Sequence, residues 1–160
     1  VSTNSIYTRF GDKSGLFSAV VKPAADGLME IYLGSISEAS VCGSANTAID
    51  MGGDGTEQVL KYIYDNLDAF RLILCNSAGT EYEDYFDRLA ETEEKFYREF
   101  VRKYAKEPQK ISDFFIHVVC RTRWQYVFEV VSHDIPYDEA QGFMKSIREY
   151  SFAGWKRVME

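Results

Sequence analysis

Histidine and cysteine are scarce in this chain, and the scarcity closes off most metal and redox chemistry. Among 160 residues there are two histidines, His117 and His133, and three cysteines, Cys42, Cys75 and Cys120. The cysteines are odd in number, far apart and without a CxxC pair, so reduced thiols packed as small hydrophobes are expected. No HExxH or GxSxG pattern occurs. A ferritin-like di-metal bundle needs two Glu-x-x-His motifs; Glu129 and His133 are four apart, and there is no second copy. The expectation is therefore no metal, no cofactor and no enzymatic activity. A run of 18 apolar residues is also missing, so no membrane span is expected. No signal-peptide pattern is read, and a cytoplasmic protein is the expectation. Basic charge is in deficit too. Lys and Arg number 18 against 25 Asp and Glu, a net charge of −7. A free-standing DNA-binding domain should be basic, so most of the chain is not expected to touch DNA.

Aromatic residues are abundant, with 11 Tyr and 11 Phe, and apolar residues recur at helical spacing along nearly the whole length. No segment reads as a strand, so the fold class is all-α. From Lys13 to about Ser40 the apolar set includes Leu16, Phe17, Val20, Val21, Leu28, Ile31 and Tyr32, with Pro23 inside it, where a kink or break is expected. Residues 41–55 hold four glycines and two aspartates and read as a loop. This loop lacks the Gly-Lys-Ser/Thr ending of a phosphate cradle. A helix is expected from Thr56 to about Asn66, a short one around residues 70–75, and a long one from about Glu81 to Ala105. The acidic run Glu81–Asp87 reads as a solvated helix start. The penultimate helix, about 111–133, is apolar nearly all round, so it must bury more than one face. The last, about 136–158, carries a heptad-like stripe at Ala140, Phe143, Met144, Ile147, Ser151, Gly154 and Val158.

The first seventeen residues are the most specific stretch. Ser2 suits an N-cap, and Ile6 and Phe10 share one face. The other face carries Thr3, Asn4, Tyr7, Thr8 and Arg9, groups suited to base edges and phosphates. Gly11 breaks the helix, and Asp12 can cap the next, with Lys13 in its first turn. This stretch resembles the end of the DNA-binding domain of TetR-family transcriptional regulators. It matches the family pattern at Val1, Ser2, Ser5, Ile6, Tyr7, Arg9, Phe10, Asp12, Lys13, Leu16 and Phe17. It departs at Ser14, where the family usually has an acidic residue.

The resemblance implies a two-part chain: residues 1–13 as the end of a helix-turn-helix domain, and 14–160 as a regulatory, ligand-binding and dimerisation domain. A helix-turn-helix needs a bracing first helix, so roughly 30 to 40 residues of a longer protein are expected ahead of Val1. The implied function is a DNA-binding regulator, usually a repressor, released from operator DNA by a small-molecule effector. Thr3, Asn4, Ser5, Thr8 and Arg9 are then expected at bases or backbone, and Tyr7 and Lys13 at phosphates. The effector pocket is expected among Tyr32, Arg71, Cys75, Tyr82, Phe86, His117, Arg121 and Trp124. A homodimer is expected through the last two helices, with Phe143, Ile147, Ser151, Gly154 and Trp155 at its interface. The alternatives are a ferritin-like helical enzyme or metal protein, and a helical scaffold without a small-molecule site.

Overall fold

The computed structural model describes residues 3–41 and 45–160, with side chains described for residues 7–39, 41 and 55–160. Ser2, expected as an N-cap, lies outside them. Among the described residues there are seven α-helices, a single 3₁₀ turn at Pro108–Lys110 and no strand. The helices are α1 (Thr3–Phe10), α2 (Lys13–Ser40), α3 (Ala45–Asp65), α4 (Leu67–Asn76), α5 (Tyr85–Tyr104), α6 (Asp113–Ser132) and α7 (Tyr137–Met159).

The turn between α1 and α2 follows from its residues. Gly11 takes a φ of 79°, which a side chain would resist. The Asp12 carboxylate then accepts from the Gly15 N–H at 2.8 Å, capping α2. Gly15 itself has no room for a side chain, because a Cβ there would stand 2.0 Å from the Phe10 carbonyl oxygen.

No break interrupts α2 at Pro23; the helix runs through it for 28 residues. A proline inside a helix costs about 3 kcal/mol. Burial supplies what opposes that loss, since Val21, Ala24, Ala25 and Leu28 beside it are all in the core. The expected loop at 41–55 is also shorter than its glycines suggested, for the chain is helical again from Ala45. Gly55 explains part of this. It is buried, and a Cβ on it would come within 2.9 Å of the Ser35 side chain on α2. This glycine lets two helices approach rather than loosening the chain, so packing overrides propensity. Gly27 has the same role in reverse, with its missing Cβ leaving space for the Tyr62 ring of α3.

Before α5, residues 77–84 form turns instead of the helical start expected from Glu81. Thr80 holds them: its hydroxyl donates to the Ser77 carbonyl at 2.7 Å and accepts from the Tyr82 N–H at 3.2 Å. Ser112 caps α6 by accepting from the Phe115 N–H.

The main core joins α2 to α7. Leu28, Leu60, Ile63, Phe70, Leu89 and Val131 lie at its centre. A second, smaller cluster gathers Val101, Ile116, Cys120 and Trp155 where the far ends of α5 and α7 meet the first half of α6. Helix α5 packs along α6, while α7 packs chiefly on α3. Contact between α7 and α6 is made by rings, Phe143 against Tyr126 and Trp155 against Phe115. No helix among the described residues is long and apolar enough to cross a membrane.

Candidate functional site

Between α2, α3, α5, α6 and α7 lies a cavity of about 150 Å³. Its wall is mostly aromatic and aliphatic, with Phe96, Phe100, Tyr126, Met144, Phe152 and Trp155 among the lining residues. One side is polar and unusually well buried. Glu93 of α5 is only 4% exposed, yet it is a carboxylate in an apolar wall. Arg123 of α6 meets its Oε1 at 2.9 Å and donates from the same nitrogen to the Tyr97 hydroxyl. The guanidinium also lies over the Tyr97 ring, which stacks on Trp155 with centroids 4.9 Å apart.

Burial pushes the Glu93 carboxyl up, while Arg123 and then Tyr32 pull it back. Burial, the largest single influence, opposes the charge on Arg123, but Glu93 together with Tyr97, Tyr32 and Cys120 outweighs it and holds the guanidinium above its ordinary value. The Tyr97 hydroxyl is pushed up to about 12, chiefly by burial. Tyr32 is raised for the same reason, with Glu93 adding to the effect. Three buried polar atoms in this wall have no hydrogen-bond partner among the described residues: Glu93 Oε2, the Tyr32 hydroxyl and Trp124 Nε1. The Tyr32 hydroxyl sits beside Glu93 without hydrogen-bond geometry, and its ring meets Trp124 edge-on at 5.1 Å. Buried polar groups are nearly always paired, so three orphans around one cavity are a departure that calls for a cause.

Of the residues expected to line an effector pocket, Tyr32 and Trp124 line this cavity. The others are engaged elsewhere. His117 Nδ1 lies 2.7 Å from Glu94, and Arg121 pairs with Asp87, so the expected His–Arg stripe of α6 faces carboxylates of α5. Arg71 pairs with Asp134 in the turn before α7. Tyr82 is packed between Phe17 and Tyr85, and Cys75 is exposed on α4. Phe86 packs on Trp124 and, with Arg121, lines a separate polar cleft between α4, α5 and α6. Among the described residues no cluster of three His, Cys, Asp or Glu side chains could hold a metal ion.

The stripe expected to face a second copy divides. Phe143 and Gly154 are exposed, Ile147 and Ser151 are half-buried and line the cavity, and Trp155 is buried within its own chain. Within its own chain the Trp155 ring is covered by Tyr97 and Phe115. On the last two helices the exposed large apolar groups are Phe114, Phe115 and Val118 of α6 and Phe143, Tyr150, Phe152 and Val158 of α7; α2 exposes Val20 and Leu33 as well.

At the other end of the molecule, Tyr7, Thr8, Arg9 and Lys13 are exposed around the α1–α2 turn, with Arg9 resting over the Phe10 ring. The side chains of Thr3, Asn4 and Ser5 lie outside the described residues, although their backbone belongs to α1. Compared with protein-family models, with curated proteins and with solved structures, the chain matches none.

Proposed function

We propose that this chain acts as a TetR-like, ligand-responsive transcriptional regulator, a repressor that a small molecule releases from operator DNA. One observation carries the reading. A single unbroken helix, α2, begins at the exposed α1–α2 turn and ends at the cavity, where Tyr32, Ser35 and Ile36 line the wall. From Lys13 to Tyr32 the helical rise is about 28 Å. A side-chain shift at the cavity therefore has a stiff path to the residues suited to DNA.

In this reading Tyr7 and Lys13 hold phosphates, and Arg9 and Thr8 approach bases or backbone. Ligand binding favours a spacing of two heads that no longer fits successive major grooves. The second head comes from a homodimer. Its interface is drawn from the exposed apolar residues of α6 and α7, Phe114 and Val118 one turn apart and Phe143 and Tyr150 two turns apart. No catalytic role is proposed, and the account needs no cofactor.

The test is selection of duplexes from a random DNA pool by a version carrying a complete helix-turn-helix, followed by Arg9→Ala. A pseudo-palindromic sequence is expected to emerge, with affinity falling at least tenfold in the variant. Enrichment of nothing, or affinity indifferent to Arg9, refutes the reading. Sedimentation of Phe114→Glu with Tyr150→Glu is expected to give monomers from dimers; an unchanged dimer refutes the proposed interface.

A further inference from the structure

The polar wall of the cavity restricts what can fill it. Glu93 and Arg123 already neutralise each other at 2.9 Å. A cation or an anion placed beside them would leave one uncompensated charge against an apolar wall, which is unfavourable; Arg148, the other charged lining residue, is exposed to solvent. A purely apolar guest would leave all three orphan atoms unpaired. The complement of the wall is a neutral head that donates to Glu93 Oε2 and accepts from Trp124 Nε1 or the Tyr32 hydroxyl. The body of the guest is set by the remaining wall, which is built of rings and aliphatic groups. Its size is set by the volume: a cavity of about 150 Å³ holds a benzene-sized molecule.

We propose that this cavity binds a small neutral aromatic molecule, about one ring in size, whose single donor–acceptor head, a phenolic hydroxyl or a primary carboxamide, closes on Glu93, Tyr32 and Trp124. That this molecule is also the effector rests on the regulator reading; its binding to the chain does not. The three atoms are shielded from water in the unliganded chain. The head group must therefore ease the surrounding side chains apart, and Tyr32, packed edge-on against Trp124, is the side chain placed to move.

The test is calorimetric titration of this chain with phenol, benzamide, toluene, benzoate and benzylamine, with melting temperatures alongside. Phenol and benzamide are expected to bind saturably and raise the melting temperature. Toluene should bind about tenfold to a hundredfold more weakly, the worth of a hydrogen bond to a charged group. Benzoate and benzylammonium should be weaker than phenol. Tyr32→Phe removes a hydroxyl that lies beside Glu93 without full hydrogen-bond geometry, so it should fold, reduce phenol affinity several-fold and change toluene affinity far less. Trp124→Phe, which also enlarges the cavity, should lower benzamide affinity more than toluene affinity. Toluene binding as tightly as phenol, a charged ring binding best, no binding by any of the five, or a phenol-to-toluene ratio untouched by Tyr32→Phe each overturns the proposal. DNA plays no part in these measurements, so their failure is separable from failure of the regulator reading. A protein that binds phenol but never DNA sinks the regulator reading and leaves this one standing.

Discussion

Replacing Glu93 by Gln keeps the shape of the side chain and removes its charge. Arg123 then has no counter-charge in the wall of the cavity. Removing one partner of a buried ion pair typically destabilises by about 3–5 kcal/mol. Glu93 has a side-chain exposure of 5%, but Arg123 keeps 30%, so water relieves part of the loss. The low end applies, about 3 kcal/mol. In a domain of this size about 1 kcal/mol moves the melting temperature by roughly 2–4 °C, so a fall of roughly 6–12 °C is expected. Glu93→Met combined with Arg123→Met removes both charges and fills similar volume. It should recover most of the loss, since apolar replacement of a whole buried pair is often neutral or stabilising. The assay is urea and thermal unfolding followed by helical circular dichroism. If Glu93→Gln loses less than about 1 kcal/mol, or if the double variant is no better than the single, the pair is not the desolvated unit described here.

Two further perturbations test other parts of the fold. Gly27→Ala places a Cβ 2.1 Å from the Tyr62 hydroxyl and 2.8 Å from its ring; destabilisation of about 1–3 kcal/mol is expected from overpacking, and wild-type stability in the variant would show that α2 and α3 have slack there. The third concerns alkali. Tyr32, Tyr85 and Tyr97 are raised above the ordinary tyrosine value, each chiefly by burial. Groups raised on folding contribute stability that is complete below about pH 10, where unfolded tyrosine titrates, and lost as pH climbs through the folded values. For Tyr97 that value is about 12. Tyrosinate absorbance should therefore rise in two stages, the second coinciding with loss of helix. A single rise near pH 10 with the helices intact would refute the burial of these hydroxyls.

Much of the helical plan was legible because it rests on local rules. The Asp12 cap and the apolar spacing of α6 and α7 needed no tertiary information. The start of α3 was not legible, because glycine signals both a loose chain and a close approach, and only the position of Ser35 separates the two. At Pro23 the break did not occur, because burial on either side of it opposes one. The polar wall of the cavity went unread, although a signal existed. Glu93 stands four residues after Leu89 and four before Tyr97, within the apolar stripe of α5. Arg123 stands three after Cys120 and four before Val127, within the buried stripe of α6. Charges inside apolar stripes have to be answered by each other. The pairing of His117 with Glu94 and of Arg121 with Asp87 was not legible, because it depends on the register of α6 along α5. Spacing along one helix carries no information about that register.

Coupling between the cavity and the α1–α2 turn is the central claim, and one titration tests it. Phenol is added to the protein bearing a complete helix-turn-helix, bound to its selected duplex, and DNA release is followed by fluorescence anisotropy. Release is expected with a midpoint that tracks phenol binding to the cavity and shifts to higher concentration in Tyr32→Phe. DNA affinity unchanged while the cavity is saturated would contradict the claim.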